Sequence, residues 1–143
     1  MKELIKMYSM KEVCKKLDMS YDTLKFYCNA GLIPNVQRDK NNYRIFDERT
    51  VAWISSLQCL KKCGMSIKDM KTYLNLCLQG ESSIPERKKM LSVQKEMLLK
   101  QIEEINQSVD YIDFKQNWYD QVLSGEIEYV SNLIDVKQEK NIN

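Results

Sequence analysis

Apolar residues recur at helical spacing along most of the chain, and the breaks fall where helix-starting and helix-stopping residues stand. Met10, Val13, Cys14 and Leu17 share one helical face. Ser9-Met10-Lys11-Glu12 ahead of them reads as a capping box, flanked by Tyr8 and Val13 as a hydrophobic staple. Asp18-Met19-Ser20 interrupts this pattern. Ser20 then caps a second helix, with Leu24, Tyr27 and Cys28 inward, Tyr21, Asp22 and Lys25 outward, and Gly31 just past its end. Helix, tight turn and helix form the anatomy of a helix-turn-helix. After Pro34 the period changes. Val36–Arg38 and Tyr43–Phe46 read as two short strands around Asp39–Asn42, with Asn42 suited to a left-handed turn position. That arrangement offers one helix to a DNA groove and a basic wing to its phosphates.

A second pair of helices follows. Asp47 caps one with Val51, Ile54, Leu57 and Leu60 inward, and Gly64 ends it. Ser66 opens the other, with Met65 and Met70 as staple and Tyr73, Leu74 and Cys77 completing the apolar stripe up to Gly80. From Pro85 nothing breaks the helix before Gly125. Leu91, Leu98, Ile105, Ile112 and Tyr119 recur every seven residues, Ile102 and Val109 fill the interleaved step, and Lys95 and Gln116 are lapses. A helix over 85–119 would be roughly 52 Å long, too long to bury its stripe on a domain of about 75 residues, so a homodimer through 85–119 is expected. Ile127, Val130, Leu133 and Ile134 predict a short amphipathic helix, and the last few residues are expected to fray. The expected organisation is a mainly α chain: a DNA-binding domain over 1–80, a dimerisation helix over 81–119 and a short segment over 120–143.

Composition refines this picture. Residues 1–75 carry 14 Lys/Arg against 8 Asp/Glu, whereas residues 76–143 carry 8 against 12. A basic front suits phosphate binding and an acidic back suits a protein-facing role. The chain has no His, no glycine-rich phosphate loop and no nucleophile–base pattern, which argues against an enzyme and against a cofactor. No apolar run is long enough to cross a bilayer and the first residues lack a signal core, so a cytoplasmic location without membrane contact is expected. In a reducing compartment the five cysteines are expected to be free thiols.

Thr23–Tyr27 (TLKFY) and Gly31–Glu48 (GLIPNVQRDKNNYRIFDE) resemble the TLRYY and GLxPxxR…NGYRxY segments of MerR-type regulators. The stretch Ile54–Leu74 is similar to that family's second helix pair, and the long helix to its dimerisation helix. Lys25-Phe26 stands where Arg-Tyr is usual, and Asn42 where Gly is usual. The resemblance implies a winged helix-turn-helix dimer with an antiparallel coiled coil. It implies binding to double-stranded promoter DNA with a long −35 to −10 spacer, which the protein bends and untwists for RNA polymerase. On that reading Tyr21, with Asp22, Thr23 and Ser20 at the same helix end, meets the major groove, and Lys25 meets a phosphate. Tyr27 suits the core, with a hydroxyl within reach of a phosphate. Arg38, Lys40, Tyr43 and Arg44 form the wing, Arg44 being the strongest phosphate ligand, and Lys15 and Lys16 add backbone contacts.

The signal is less directly written. Metal sensors of the family carry cysteines after the long helix, and no cysteine follows Cys77, so no metal site is expected. The context of Cys59 is similar to that of the aldehyde- or electrophile-responsive subgroup. That makes Cys59 the expected thiol sensor, with Lys61 and Lys62 nearby to favour its thiolate. A small hydrophobic ligand held by Trp118 and Tyr119 is the alternative signal, and a coiled-coil interaction protein without DNA binding is the alternative function.

Overall fold

The computed structural model describes residues 5–136. Its elements are β1 (Met7–Ser9), α1 (Met10–Leu17), α2 (Tyr21–Asn29), β2 (Gln37–Arg38), β3 (Arg44–Asp47), α3 (Glu48–Lys62), α4 (Ile67–Leu78), a 3-10 turn (Glu81–Ser83) and α5 (Ile84–Leu123). The fold is mainly α, with a winged helix-turn-helix ahead of a long helix. Two compact units divide it, one through Leu98 and one from Leu99 onward, so α5 contributes to both.

In the first unit the helices begin where their caps place them. Ser9 Oγ accepts from the Glu12 amide at 3.1 Å, while Glu12 Oε1 accepts from the Ser9 amide at 3.1 Å. The Ser9 amide, and after it the Ser9 hydroxyl beside the carboxylate, hold the Glu12 carboxyl below the usual range. Ser20, Asp47 and Ser66 cap α2, α3 and α4 through the amides of Thr23, Thr50 and Asp69. Each such cap contributes about 1 kcal/mol. The helices bury Val13, Leu24, Ile54, Leu57 and Met70 in one core, joined by Leu32 and Phe46.

A three-stranded antiparallel sheet in the order β1-β3-β2 closes this core. The wing was legible, but β1 was not. Three residues carry no period, and Met7–Ser9 becomes a strand because Asp47, Phe46 and Ile45 pair with it. Asn42 takes φ 67°, the left-handed conformation that the wing turn needs.

Helix α5 starts against its own domain. Ser83 and Gln94 are buried, and Arg87, Met90 and Leu98 are half-buried on the same face. Gln94 Nε2 donates to the Cys63 carbonyl at 2.6 Å. Arg87 Nη2 donates to the Gly80 carbonyl at 2.7 Å and its Nε to Ser83 Oγ at 3.0 Å. Ser83 Oγ in turn donates to the Leu76 and Gly80 carbonyls. Carbonyls that α4 leaves open at its end are thus satisfied by the next element.

In the second unit the apolar side chains Ile102, Ile105, Val109, Tyr111, Ile112 and Phe114 are all exposed along α5. Trp118 packs on Tyr119 and Tyr129, with Lys115 over the indole. The helix stops before Gly125, which adopts φ 84°. The amphipathic helix expected over Ile127–Ile134 does not form. Instead Ser131 Oγ accepts from the amides of Leu133 and Ile134, a local bond that competes with helical pairing. The expected fraying of the last residues lies outside the described residues. No helix among the described residues is long and apolar enough to cross a membrane.

Candidate nucleic-acid interface

Two concave surfaces flank the start of α2. The first has a volume of about 320 Å³ and is lined by Ser9, Lys11, Tyr21, Arg38, Tyr43 and Arg44, among others. It joins the first turn of α1 to the first residue of α2 and to the wing. Tyr21 is 55 % exposed and Tyr43 70 % exposed. Phenol rings kept at a polar surface present both an apolar face and a hydroxyl.

The arginines here are aimed rather than floppy. Arg44 Nη2 donates to Asn29 Oδ1 at 2.8 Å, tying the base of the wing to the end of α2. Arg38 Nη1 donates to the Asn42 carbonyl at 2.8 Å. Asp39 shapes the turn by accepting from the amides of Asn41 and Tyr43 at 2.9 and 3.0 Å. Each guanidinium keeps donors beyond the one so used, and fixing the side chain in advance lowers the entropy lost on binding a phosphate. Arg38 and Arg44 also lie close enough to the Cys28 thiol to oppose the upward push that burial gives it.

The second surface, about 440 Å³, lies on the other side of α2. Ser20, Thr23, Tyr27, Gln58, Lys61 and Lys62 line it, with Asp18 and Met19 at the rim. Tyr27 is only 1 % exposed, so its ring is core. Its hydroxyl is the one buried side-chain polar atom among the described residues without a hydrogen-bond partner. Burial pushes this phenol up, which keeps it protonated and a donor. Gln58 braces the surface by donating to the Leu17 carbonyl at 2.9 Å.

The other expected contact residues divide by their partners. Asp22, Lys25 and Lys40 are exposed on α2 and the wing turn, and Lys15 is exposed on α1. Ser20 Oγ donates to Thr23 Oγ1 at 2.7 Å, so these hydroxyls hold the helix start. Lys16 is engaged inside the protein: its Nζ lies 3.9 Å from the Glu48 carboxylate and 4.9 Å from the Tyr8 ring centre. Sequence reasoning passed over Lys11, Phe26 and Asn29. Phe26 is exposed beside Lys25 on the outer face of α2, where an apolar ring breaks the polar pattern. Lys61 and Lys62 were read only as neighbours of Cys59, because nothing in the linear order brings them to Tyr27.

Cys59 is exposed on α3, whereas Cys14, Cys28, Cys63 and Cys77 are half-buried, and all five are free thiols. Among the described residues no three His, Cys, Asp or Glu side chains gather as metal ligands would.

Residues 8–77, which contain both surfaces, match the family model described as MerR HTH family regulatory protein. An uncharacterised HTH-type transcriptional regulator of Haemophilus influenzae is 36 % identical over 112 residues, covering 78 % of this chain and 83 % of the relative. The HTH-type transcriptional regulator AdhR of Bacillus subtilis is 31 % identical over 62 % of this chain and 63 % of its own length. Among solved structures, HiNmlR, a MerR family regulator lacking the sensor domain and bound to promoter DNA, superposes with a TM-score of 0.69 at 34 % identity. That match covers 83 % of this chain and 90 % of the other. With the winged helix-turn-helix and the long helix, these likenesses make the chain a member of the MerR family of DNA-binding transcriptional regulators.

Proposed function

We propose that this regulator binds promoter DNA as a homodimer, with one wing and one α2 per half-site, and distorts a long-spacer promoter in response to a thiol-reactive signal. Family membership already sets aside an enzyme and an interaction protein without DNA binding. The observation that carries the DNA-contact reading is the pair of basic, donor-rich surfaces on either side of α2. Tyr21 enters the major groove, with Asp22 and Thr23 beside it and Lys25 and Lys40 on phosphates. Arg38, Tyr43 and Arg44 clamp the backbone on the wing side. Lys61, Lys62 and the Tyr27 hydroxyl hold a phosphate on the other side. A phosphate so placed supplies the acceptor that the buried hydroxyl lacks, and it sits beside the N-terminus of α2. Two rigid phosphate grips on one duplex, repeated in the partner, give the leverage to deform DNA and bring RNA polymerase indirectly into the mechanism. Lys15 adds a weaker contact, and Lys16 does so only by leaving Glu48.

The homodimer rests on the exposed apolar stripe of α5 beyond Leu98, which water would otherwise wet. For the signal, the exposed Cys59 thiol supports the electrophile-responsive reading, since reagents reach it without opening the core.

The DNA reading is tested with Arg44→Ala. Removing the aimed guanidinium weakens binding by a similar factor on specific and non-specific duplexes and flattens the dependence of affinity on salt. Unaltered affinity and salt slope in a fluorescence titration would remove Arg44 from the interface.

A further inference from the structure

We propose that Phe26 is a base-reading residue: its ring meets the C5-methyl group of a thymine in the major groove and makes the half-site depend on that base. This deepens the DNA reading above and rests on it.

Helix α2 turns by about 100° per residue, and what lines its two flanks orients the rest. Tyr21 belongs to the wing-side surface with Arg38 and Arg44. Thr23 and Tyr27 belong to the opposite surface with Lys61 and Lys62. Leu24 is buried and Cys28 half-buried, so they face the domain. The direction opposite the core and midway between the flanks holds Asp22, Phe26 and Asn29, all three exposed. A duplex held by its phosphates on both flanks brings the floor of its groove over this crest.

The crest is chemically uneven. Asp22 offers acceptors, which suit the amino group of a cytosine. Asn29 Oδ1 accepts from Arg44 Nη2 at 2.8 Å and so serves the wing. Phe26 has no polar atom, yet it is 51 % exposed. Its ring forms no ordinary hydrogen bond with a base edge, and the apolar group that base pairs display in the major groove is the thymine methyl.

One exposed apolar residue is ordinary on a protein surface. Two observations set Phe26 apart, its place on the crest and its fixed ring. The ring packs tilted on that of Tyr27, with centroids 6.3 Å apart and planes at 55°, and Tyr27 is itself core. A ring braced on a buried neighbour gives up little entropy on making a contact. A single ring among Asp22, Lys25 and Asn29 is also far smaller than the apolar patch that marks a protein-binding surface. The contact involves no charge, so it adds base preference without adding salt dependence.

The probe is the duplex that selection from random sequence yields for the full chain. Each thymine of a half-site is replaced in turn by uracil, which removes only the methyl group. One such replacement is expected to weaken the unaltered protein about 4-fold, the worth of one buried carbon, and to leave Phe26→Ala unaffected. Phe26→Leu, still apolar, retains part of the preference. Phe26→Ala keeps the salt slope and the affinity for non-specific duplex, both of which Arg44→Ala lowers. If Phe26→Ala does not fold, 5-iodouracil at the same base decides on the unaltered chain: irradiation is expected to cross-link it to Phe26, located by fragmentation of the tryptic peptide 26–38. Uracil weakening Phe26→Ala as much as the unaltered protein, no thymine sensitive to uracil, or cross-links confined to other residues would overturn the proposal and leave the DNA reading standing. A selection that enriches no sequence would overturn both.

Discussion

Replacing Tyr27 by Phe separates stability from DNA binding in opposite directions. The ring is 1 % exposed and its hydroxyl has no partner, so the free protein carries an unpaired buried dipole. Mutational data put such a cost at about 1–3 kcal/mol. Phe retains the ring packing and deletes only the oxygen. At the low end, about 1 kcal/mol is recovered, worth about 3 °C in Tm for a chain of this size. The DNA-bound state responds the other way. A hydroxyl donating to a phosphate contributes about 1.5–3 kcal/mol, so its loss weakens binding roughly 10- to 100-fold per half-site. Lys61→Ala, on the same surface but exposed, weakens binding with little change in Tm. Thermal denaturation by circular dichroism and fluorescence anisotropy on one preparation read both quantities. A lower Tm with unchanged affinity in Tyr27→Phe would refute the reasoning. The hydroxyl would then be a structural donor and the surface around it no phosphate seat.

Two further perturbations test the dimer and the trigger. Ile105→Asp places a charge on the exposed apolar stripe of α5. Losing one buried Ile per protomer costs about 1.5–3 kcal/mol twice over, so dimer dissociation should rise at least about 100-fold in sedimentation equilibrium. An unchanged monomer–dimer equilibrium would place the interface elsewhere. Cys59→Ser should abolish induction by aldehyde in a reporter strain while leaving operator affinity intact, and full induction in that variant would remove Cys59 from sensing.

How legible the fold was depended on whether a feature is local. The four caps and the left-handed Asn42 are written in adjacent residues, and the structure reproduces them. Strand β1 exists only through pairing with β3, so its own three residues gave no sign of it. Buried polar groups were equally silent. Nothing in the order of residues marks Gln94, Ser83 and Arg87, yet they satisfy carbonyls at the ends of α3 and α4. They also clarify the lapse at Lys95 in the heptads. Through Leu98 the inward face of α5 belongs to its own domain, and the free apolar stripe begins beyond it. The wing side of the candidate interface was legible because Arg38, Tyr43 and Arg44 lie close together in sequence. The other side was not, because Tyr27 meets Lys61 and Lys62 only after α2 and α3 pack.

The most direct test of the central claim is a footprint of the full-length protein on a promoter it controls, read with the −35 to −10 spacing there. A homodimer of two rigid DNA grips predicts two protected half-sites related by two-fold symmetry, inside an unusually long spacer, with enhanced cleavage at the distorted centre. A single protected half-site, or symmetric protection in a promoter of ordinary spacing without central distortion, would contradict it.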